Sequence, residues 1–156
     1  MRRNAKKLMC CLGLILLSTQ VFAAADDVIG QVKVLSGKAF VERKGSPIKA
    51  KLGMAVYQMD TVVTGKKGSI GLLFNDDSRL ALGSNSTMSL KNFNFNKKTH
   101  EGNFDVAMQK GTLSVISGKL TARKPGSLKV RTPAAILAVR GTEFSVKVDA
   151  PLKGEQ

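Results

Sequence analysis

The sequence predicts an all-β domain of short, mainly antiparallel strands, packed as a sandwich or roll, with a solenoid-like stack as the second arrangement. Three observations lead there. Beyond an apolar N-terminal run, no stretch carries an apolar 3.6-residue period of helical length. Short alternating or β-branched runs recur instead, with glycine, asparagine or aspartate turns about every 8–12 residues. No exact repeat is present, which keeps a regular stack second. A chain of 156 residues suits one domain with a real hydrophobic core, and hardly two.

The N-terminus is set apart from that domain. Arg2, Arg3, Lys6 and Lys7 form a positive region, and Leu8 to Leu17 is an apolar run too short to span a bilayer comfortably. Val21-Phe22-Ala23 then places small residues before Ala24. Residues 1–23 therefore read as a cleaved secretory signal, with cleavage after Ala25 as the alternative. Cys10 and Cys11 leave with it, which excludes a disulfide framework and thiolate metal sites from the mature chain. Four of the 25 basic residues and none of the 11 acidic ones are removed, so the net charge falls from +14 to +10. In an exported protein that balance points to anionic envelope polymers or acidic protein faces more than to nucleic acid. Lysines that merely keep strand edges soluble are the competing explanation.

The elements follow in order. Val28 to Leu35 alternates as a strand, Ser36-Gly37 turns it, and Ala39 to Arg43 reads as the returning strand of a hairpin, closed by a turn at Lys44-Gly45-Ser46-Pro47. Ile48 to Leu52 is a short extended piece ended by Gly53. Asp60 to Thr64 is a β-branched strand running into Gly65. Ser69 to Phe74 and Arg79 to Leu82 flank the turn Asn75-Asp76-Asp77-Ser78, the clearest hairpin of the chain. Thr87 to Leu90 is a further strand. Asn92-Phe93-Asn94-Phe95-Asn96 alternates with both phenylalanines facing in, ahead of a polar tip from Lys97 to Asn103. Phe104 to Met108 resumes, Gly111 punctuates, and Thr112 to Ile116 follows. Arg123-Lys124-Pro125-Gly126 is a turn before the last strands, and residues 150–156 read as a loose tail.

The stretch Lys129 to Val148 is the most informative. An extended segment ends at Pro133, a short apolar run follows, and Arg140-Gly141-Thr142 interrupts a second alternating run. An arginine inside a buried apolar run needs a partner or a path to water, so Arg140 reads as a paired residue at a strand bend and, secondarily, as a partner-binding residue. Thr142, Phe144, Val146 and Val148 fall on one face of the last strand.

Taken together, these segments resemble the FecR domain family over roughly Val28 to Val148. The resemblance rests on the opening strands through Gly37, Asp60-Thr61-Val62-Val63-Thr64-Gly65, the hairpin around Asp77-Ser78, and Gly111-Thr112-Leu113. Thr132-Pro133-Ala134 followed by Val139-Arg140-Gly141-Thr142-Glu143-Phe144 completes it. Asp60, Gly65, Pro133, Gly141, Thr142 and Phe144 are thereby structural motif positions. Met59 and Asp77 stand where the family commonly has glycine. The resemblance implies an all-β extracytoplasmic domain over residues 28–149, without catalytic activity, of a kind best known from iron-citrate signalling. There a membrane-anchored regulator receives a signal from an outer-membrane receptor and controls a sigma factor. The present chain is expected to be the β module alone, exported, without a transmembrane helix or sigma-binding region.

Chemistry is sparse. His100 is the single histidine and lies in the polar tip, so it reads as a solvated loop residue without a nucleophile to serve. Asp76 and Asp77 are neighbours in a turn, a spacing that suits turn chemistry better than a glycosidase pair or a calcium loop. Gly65-Lys66-Lys67-Gly68-Ser69 lacks the spacing and the following helix of a phosphate-binding loop. Lys97, Lys98, Arg123 and Lys124 make a basic patch if their turns share one end of the domain. No cofactor and no metal are expected. The function expected is a non-enzymatic periplasmic accessory that binds another envelope protein, or alternatively a basic binder of peptidoglycan or lipopolysaccharide. Nucleic acid is not expected as a partner.

Overall fold

The structure, a computed structural model, describes residues 27–140 and 143–149. The expected signal sequence, Gly141, Thr142 and the expected tail lie outside the described residues. In chain order the elements are β1 (Val28–Ser36), β2 (Ala39–Arg43), β3 (Ser46–Lys49), β4 (Ala55–Tyr57), β5 (Thr61–Thr64), β6 (Ser69–Phe74) and β7 (Arg79–Leu82). After them come β8 (Thr87–Phe95), β9 (Gly102–Ile116), α1 (Lys119–Arg123), β10 (Leu128–Arg131), β11 (Ile136–Ala138) and β12 (Glu143–Val148).

The strands form one curled, mainly antiparallel sheet, half of a barrel, whose two halves share β9. The first half runs β4-β1-β6-β7-β9-β12. The second runs β3-β2-β5-β8-β9-β10-β11, with β9 and β10 parallel. Up to Lys110, β9 pairs with β8; from Gly111 on, it pairs with β12 and then β7.

Gly111 is where β9 turns from one half into the other. Its φ of 96° is open to glycine and strained for any side chain. A Cβ there would sit 2.2 Å from the Ser86 hydroxyl. That hydroxyl accepts from the Thr112 N–H at 3.0 Å, and the Ser86 N–H donates to the Thr64 hydroxyl at 2.9 Å. Thr64 donates in turn to the Gly83 carbonyl at 2.6 Å. Two buried hydroxyls thus satisfy the backbone where the ladder is interrupted, which an apolar pair could not do.

The inward faces of both halves meet in one core. Val32, Leu80 and Leu113 from the first half and Val41, Met88 and Val106 from the second are all buried. At one end Phe104 packs 4.6 Å from Phe74 and 4.9 Å from Phe93, centroid to centroid, joining the halves through aromatic contacts. Each such pair adds about 0.5–1.5 kcal/mol beyond burial.

Several expectations need correcting. β1 and β2 are not a hairpin: β1 pairs with β4 and β6, and β2 with β3 and β5. Gly37, at φ 64°, sends the chain from one half of the sheet to the other, and its missing Cβ makes room for the Lys67 carbonyl. The hairpin lies one step later, where Lys44 (φ 51°) and Gly45 (φ 81°) join β2 to β3 in a two-residue turn with the handedness strand twist favours. Ala55–Tyr57 is a strand the sequence did not announce. The stretches Thr87 to Leu90 and Asn92 to Asn96 belong to one strand, β8, which shifts register between Leu90 and Asn92. α1 was also not foreseen; five residues are too few for an apolar period. It is held by the hairpin before it: Gly118 N–H donates to the Ser78 hydroxyl (3.1 Å) and Lys119 N–H to the Asp76 carbonyl (2.7 Å). The solenoid-like stack does not form.

Gly111→Ala is expected to destabilise the domain by about 2–4 kcal/mol, through backbone strain and displacement of Ser86. Gly45→Ala, where a Cβ meets nothing within 4 Å, is expected to cost only the strain of about 1–2 kcal/mol. Equilibrium urea unfolding compares them, and equal costs would refute the role given to Gly111.

Candidate functional site

Of the residues singled out from the sequence, Asp60 is one of the two deeply enclosed carboxylates. It is 1% exposed and accepts a fork from Arg43: Nε to Oδ1 at 2.9 Å and Nη2 to Oδ2 at 2.8 Å. Tyr57 N–H also donates to Oδ2 at 2.9 Å, while Arg43 reaches the Ala55 carbonyl at 3.0 Å and lies 4.2 Å over the Tyr57 ring. One ion pair therefore ties β2, β4 and the start of β5 together. Met59 takes a φ of 69°, which accounts for glycine being the common residue there. Gly65 ends β5 by donating to the Lys38 carbonyl at 2.8 Å. The Asp60–Arg43 pair is structural.

Asp76 and Asp77 point apart, as their turn requires. Asp77 is exposed, takes the left-handed conformation (φ 66°) and pairs with Lys119 at 2.7 Å. Asp76 is buried, and its carboxylate receives the N–H of Ser78 at 3.1 Å and the hydroxyl of Ser78. Burial pushes its pKa up, against the lowering effect of the Ser78 hydrogen bonds, and the neighbouring Asp77 adds to the rise. His100 is exposed in the polar tip at φ 58° and stacks on Phe95 at 6.0 Å. Among the described residues no group of three His, Cys, Asp or Glu is placed to hold a metal.

Arg123 of α1 lies 3.9 Å from Glu101 of the polar tip that carries Lys97 and Lys98, so the two turns share one end of the domain. Lys124 is exposed next to Arg123. Glu101 and Asp77 offset part of the charge at that end, and exposed pairs of this kind contribute little to stability.

The C-terminal motif is arranged otherwise than expected. The apolar run after Pro133 is not buried: Pro133, Ala134, Ala135 and Ala138 are exposed, Ile136 is 60% exposed, and Val139 alone in that run is buried. Arg140 is exposed rather than paired within a buried bend. The reason is topological. Among the described residues β11 bonds only to β10, and β12 only to β9, so each has one edge that no described strand covers. Phe144, Val146 and Val148 share one half-buried face of β12, as read from the sequence.

Between these edges lies a groove of about 320 Å³, lined by Pro133, Ala134, Leu137, Val146 and Val148 among others. A second hollow continues beside it, lined by Arg140, Glu143 and Phe144 with residues of β11. Pro133, Arg140 and Phe144 thus come together at one seam, whereas Lys97, Lys98, Arg123 and Lys124 belong to the tip of β8 and β9 and to α1. Leu137, Val146 and Val148 were legible as apolar residues, but nothing in the sequence marked them as groove walls.

A family model described as FecR protein matches residues 60–153. No curated protein and no solved structure matches the chain. The matched residues begin at Asp60, yet β1 is bonded to β6 and β2 to β5, so the strands before Asp60 belong to the same sheet. No helix among the described residues is long and apolar enough to cross a membrane.

Arg43→Met leaves the Asp60 carboxylate buried without its cation and is expected to cost about 3–5 kcal/mol. Asp60→Asn should cost less, because the half-exposed guanidinium can turn to water. Urea midpoints measure both, and the reverse order would refute the pair's role. The raised pKa of Asp76 means that the folded state holds its proton more tightly than the unfolded state. Its contribution to stability therefore declines as pH rises from about 4 through the folded value. Asp76→Asn should remove that decline, which urea unfolding at a series of pH values would detect.

Proposed function

Because the chain belongs to the FecR family, whose domains are signalling-related regulators usually facing the periplasm, we propose that it is a non-enzymatic interaction module of the cell envelope. Its partner is an extended segment of another envelope protein, received at the seam between β11 and β12. The observation that carries this reading is the apolar groove lying between two free strand edges. A free edge offers unpaired N–H and C=O groups for main-chain pairing, and an apolar channel beside it offers pockets for alternate side chains. Arg140 and Glu143, at the far end of the seam, supply opposite charges that set direction. The signal-like N-terminus supports export, and the enclosed Asp60 and Asp76 support structural rather than catalytic roles for the carboxylates.

Binding of peptidoglycan or lipopolysaccharide at Lys97, Lys98, Arg123 and Lys124 draws less support, since Glu101 lies 3.9 Å from Arg123, and Asp77 pairs with Lys119 of the same short helix. Charge-driven polymer binding also weakens steeply with salt, while a packed protein interface weakens little.

A photoreactive side chain placed at Leu137 or Val146 is expected to crosslink a single envelope protein, at low and at high salt. Val146→Asp should weaken that complex more than about tenfold, because it puts a carboxylate into an apolar contact. A smear of glycan or lipid lost at high salt, or equal crosslinking from exposed Lys49 on β3, the edge strand farthest from β11 in the sheet order, would refute the seam.

A further inference from the structure

An uncompensated cluster of positive charge lies at the opposite end from the patch that the sequence suggested. Strand registers define that end. Ala39 pairs with Thr64, Val63 with Thr87, Thr87 with Lys110, and Gly111 with Val148. The turns just beyond these pairs carry Lys38, Lys66 and Lys67, with Lys110 along the same rim; all are exposed, and among the described residues none has an ion-pair partner. The acidic residue at that end, Asp149, pairs with Lys147 at 3.3 Å.

This cluster is built rather than incidental. The Gly65 N–H donates to the Lys38 carbonyl at 2.8 Å, and the Gly65 carbonyl accepts from Gly68 at 3.0 Å and Asn85 at 3.1 Å. A Cβ on Gly68 would lie 2.1 Å from the Lys38 carbonyl, and one on Gly37 2.1 Å from that of Lys67. The two loops are wedged together so closely that only glycine fits, which holds Lys38 beside Lys66 and Lys67 against their mutual repulsion.

The same end carries exposed apolar residues. Arg131 pairs with Ala107 and with Ile136, so the turn between β10 and β11 projects here and presents Pro133, Ala134 and Ala135, with Ile136 next to them. Arg131 itself is engaged by Asp105 at 3.7 Å. The free cations are therefore lysines, compact point charges without the fork geometry that recognises one phosphate or carboxylate bidentately. Point charges beside an apolar tip suit a surface of many headgroups over an acyl layer.

We propose that this lysine rim and the Pro133–Ala135 tip dock the domain onto a bilayer rich in anionic phospholipid. This goes beyond the seam reading: the tip shares Pro133 and Ala134 with the groove wall, but vesicle binding needs no protein partner and is tested apart from the seam.

The chain contains no tryptophan, so Ala134→Trp supplies a unique fluorophore at the tip. The purified protein would be mixed at low salt with phosphatidylcholine vesicles, with vesicles about one third phosphatidylglycerol, and with soluble polyglutamate. The expected result is a blue-shifted emission and co-sedimentation with the anionic vesicles alone, lost at high salt. Lys66→Ala with Lys67→Ala should weaken vesicle partition about twenty-five-fold, at about fivefold per lysine, with the circular dichroism unchanged. Lys97→Ala with Lys98→Ala should change it less than about twofold. Binding to polyglutamate as strong as to vesicles and without a blue shift would mean a soluble polyanion is the ligand and would overturn the proposal. So would an absence of vesicle binding at low salt, or an equal loss in both double variants.

Discussion

The structure depends on β9 serving both halves of the sheet. A straight strand of fifteen residues would carry one flat sheet with two exposed apolar faces. Turning the strand at Gly111 lays the halves over each other, so that Val32, Leu80 and Leu113 meet Val41, Met88 and Val106. The turn interrupts the ladder, and the polar groups it frees must be satisfied internally, because water is excluded from the core. Ser86 and Thr64 satisfy them. The buried hydroxyls near Gly111 are thus a requirement of the shape.

The same economy governs the carboxylates. Asp60 and Asp76 are both buried, and each closes a local problem: Asp60 gathers β2, β4 and β5 through Arg43, and Asp76 with Ser78 fixes the turn that holds α1. The charges at the two ends of the half-barrel are treated differently. At one end Glu101 and Asp77 offset Arg123 and Lys119; at the other, glycine loops hold lysines together without a counter-charge. The two surfaces proposed for interaction, the apolar seam and the lysine rim, are set by strand edges and loop wedging instead of by any pocket of converging polar groups.

Much of the fold was legible in residues. β-branched runs, alternation and turn residues located most strands and the hairpin at Asn75–Ser78, because those signals are local. The opening hairpin was misread because a short Ser-Gly turn looks the same whether the next strand pairs with its predecessor or crosses to the other half. Burial after Pro133 was misread for a related reason: an apolar run signals a core strand only if both of its sides are covered, and β11 has a single neighbour. The candidate patch was half legible. The identity of its residues was evident, but whether Glu101 and Asp77 would stand among them depended on where α1 packs.

By itself the sequence determined the all-β class, the approximate strand positions, the glycine and aspartate turns, the family, and the strong positive charge. Each of these follows from a residue's own conformational or solvation preference, or from residues a few positions away. Tertiary structure alone decided which strands pair, where β9 bends, which edges stay free and which charges are neutralised. Those outcomes rest on contacts between residues far apart in the chain, such as Ser86 with Thr112 or Arg43 with Asp60. Their energies are realised only once both halves of the sheet are in place.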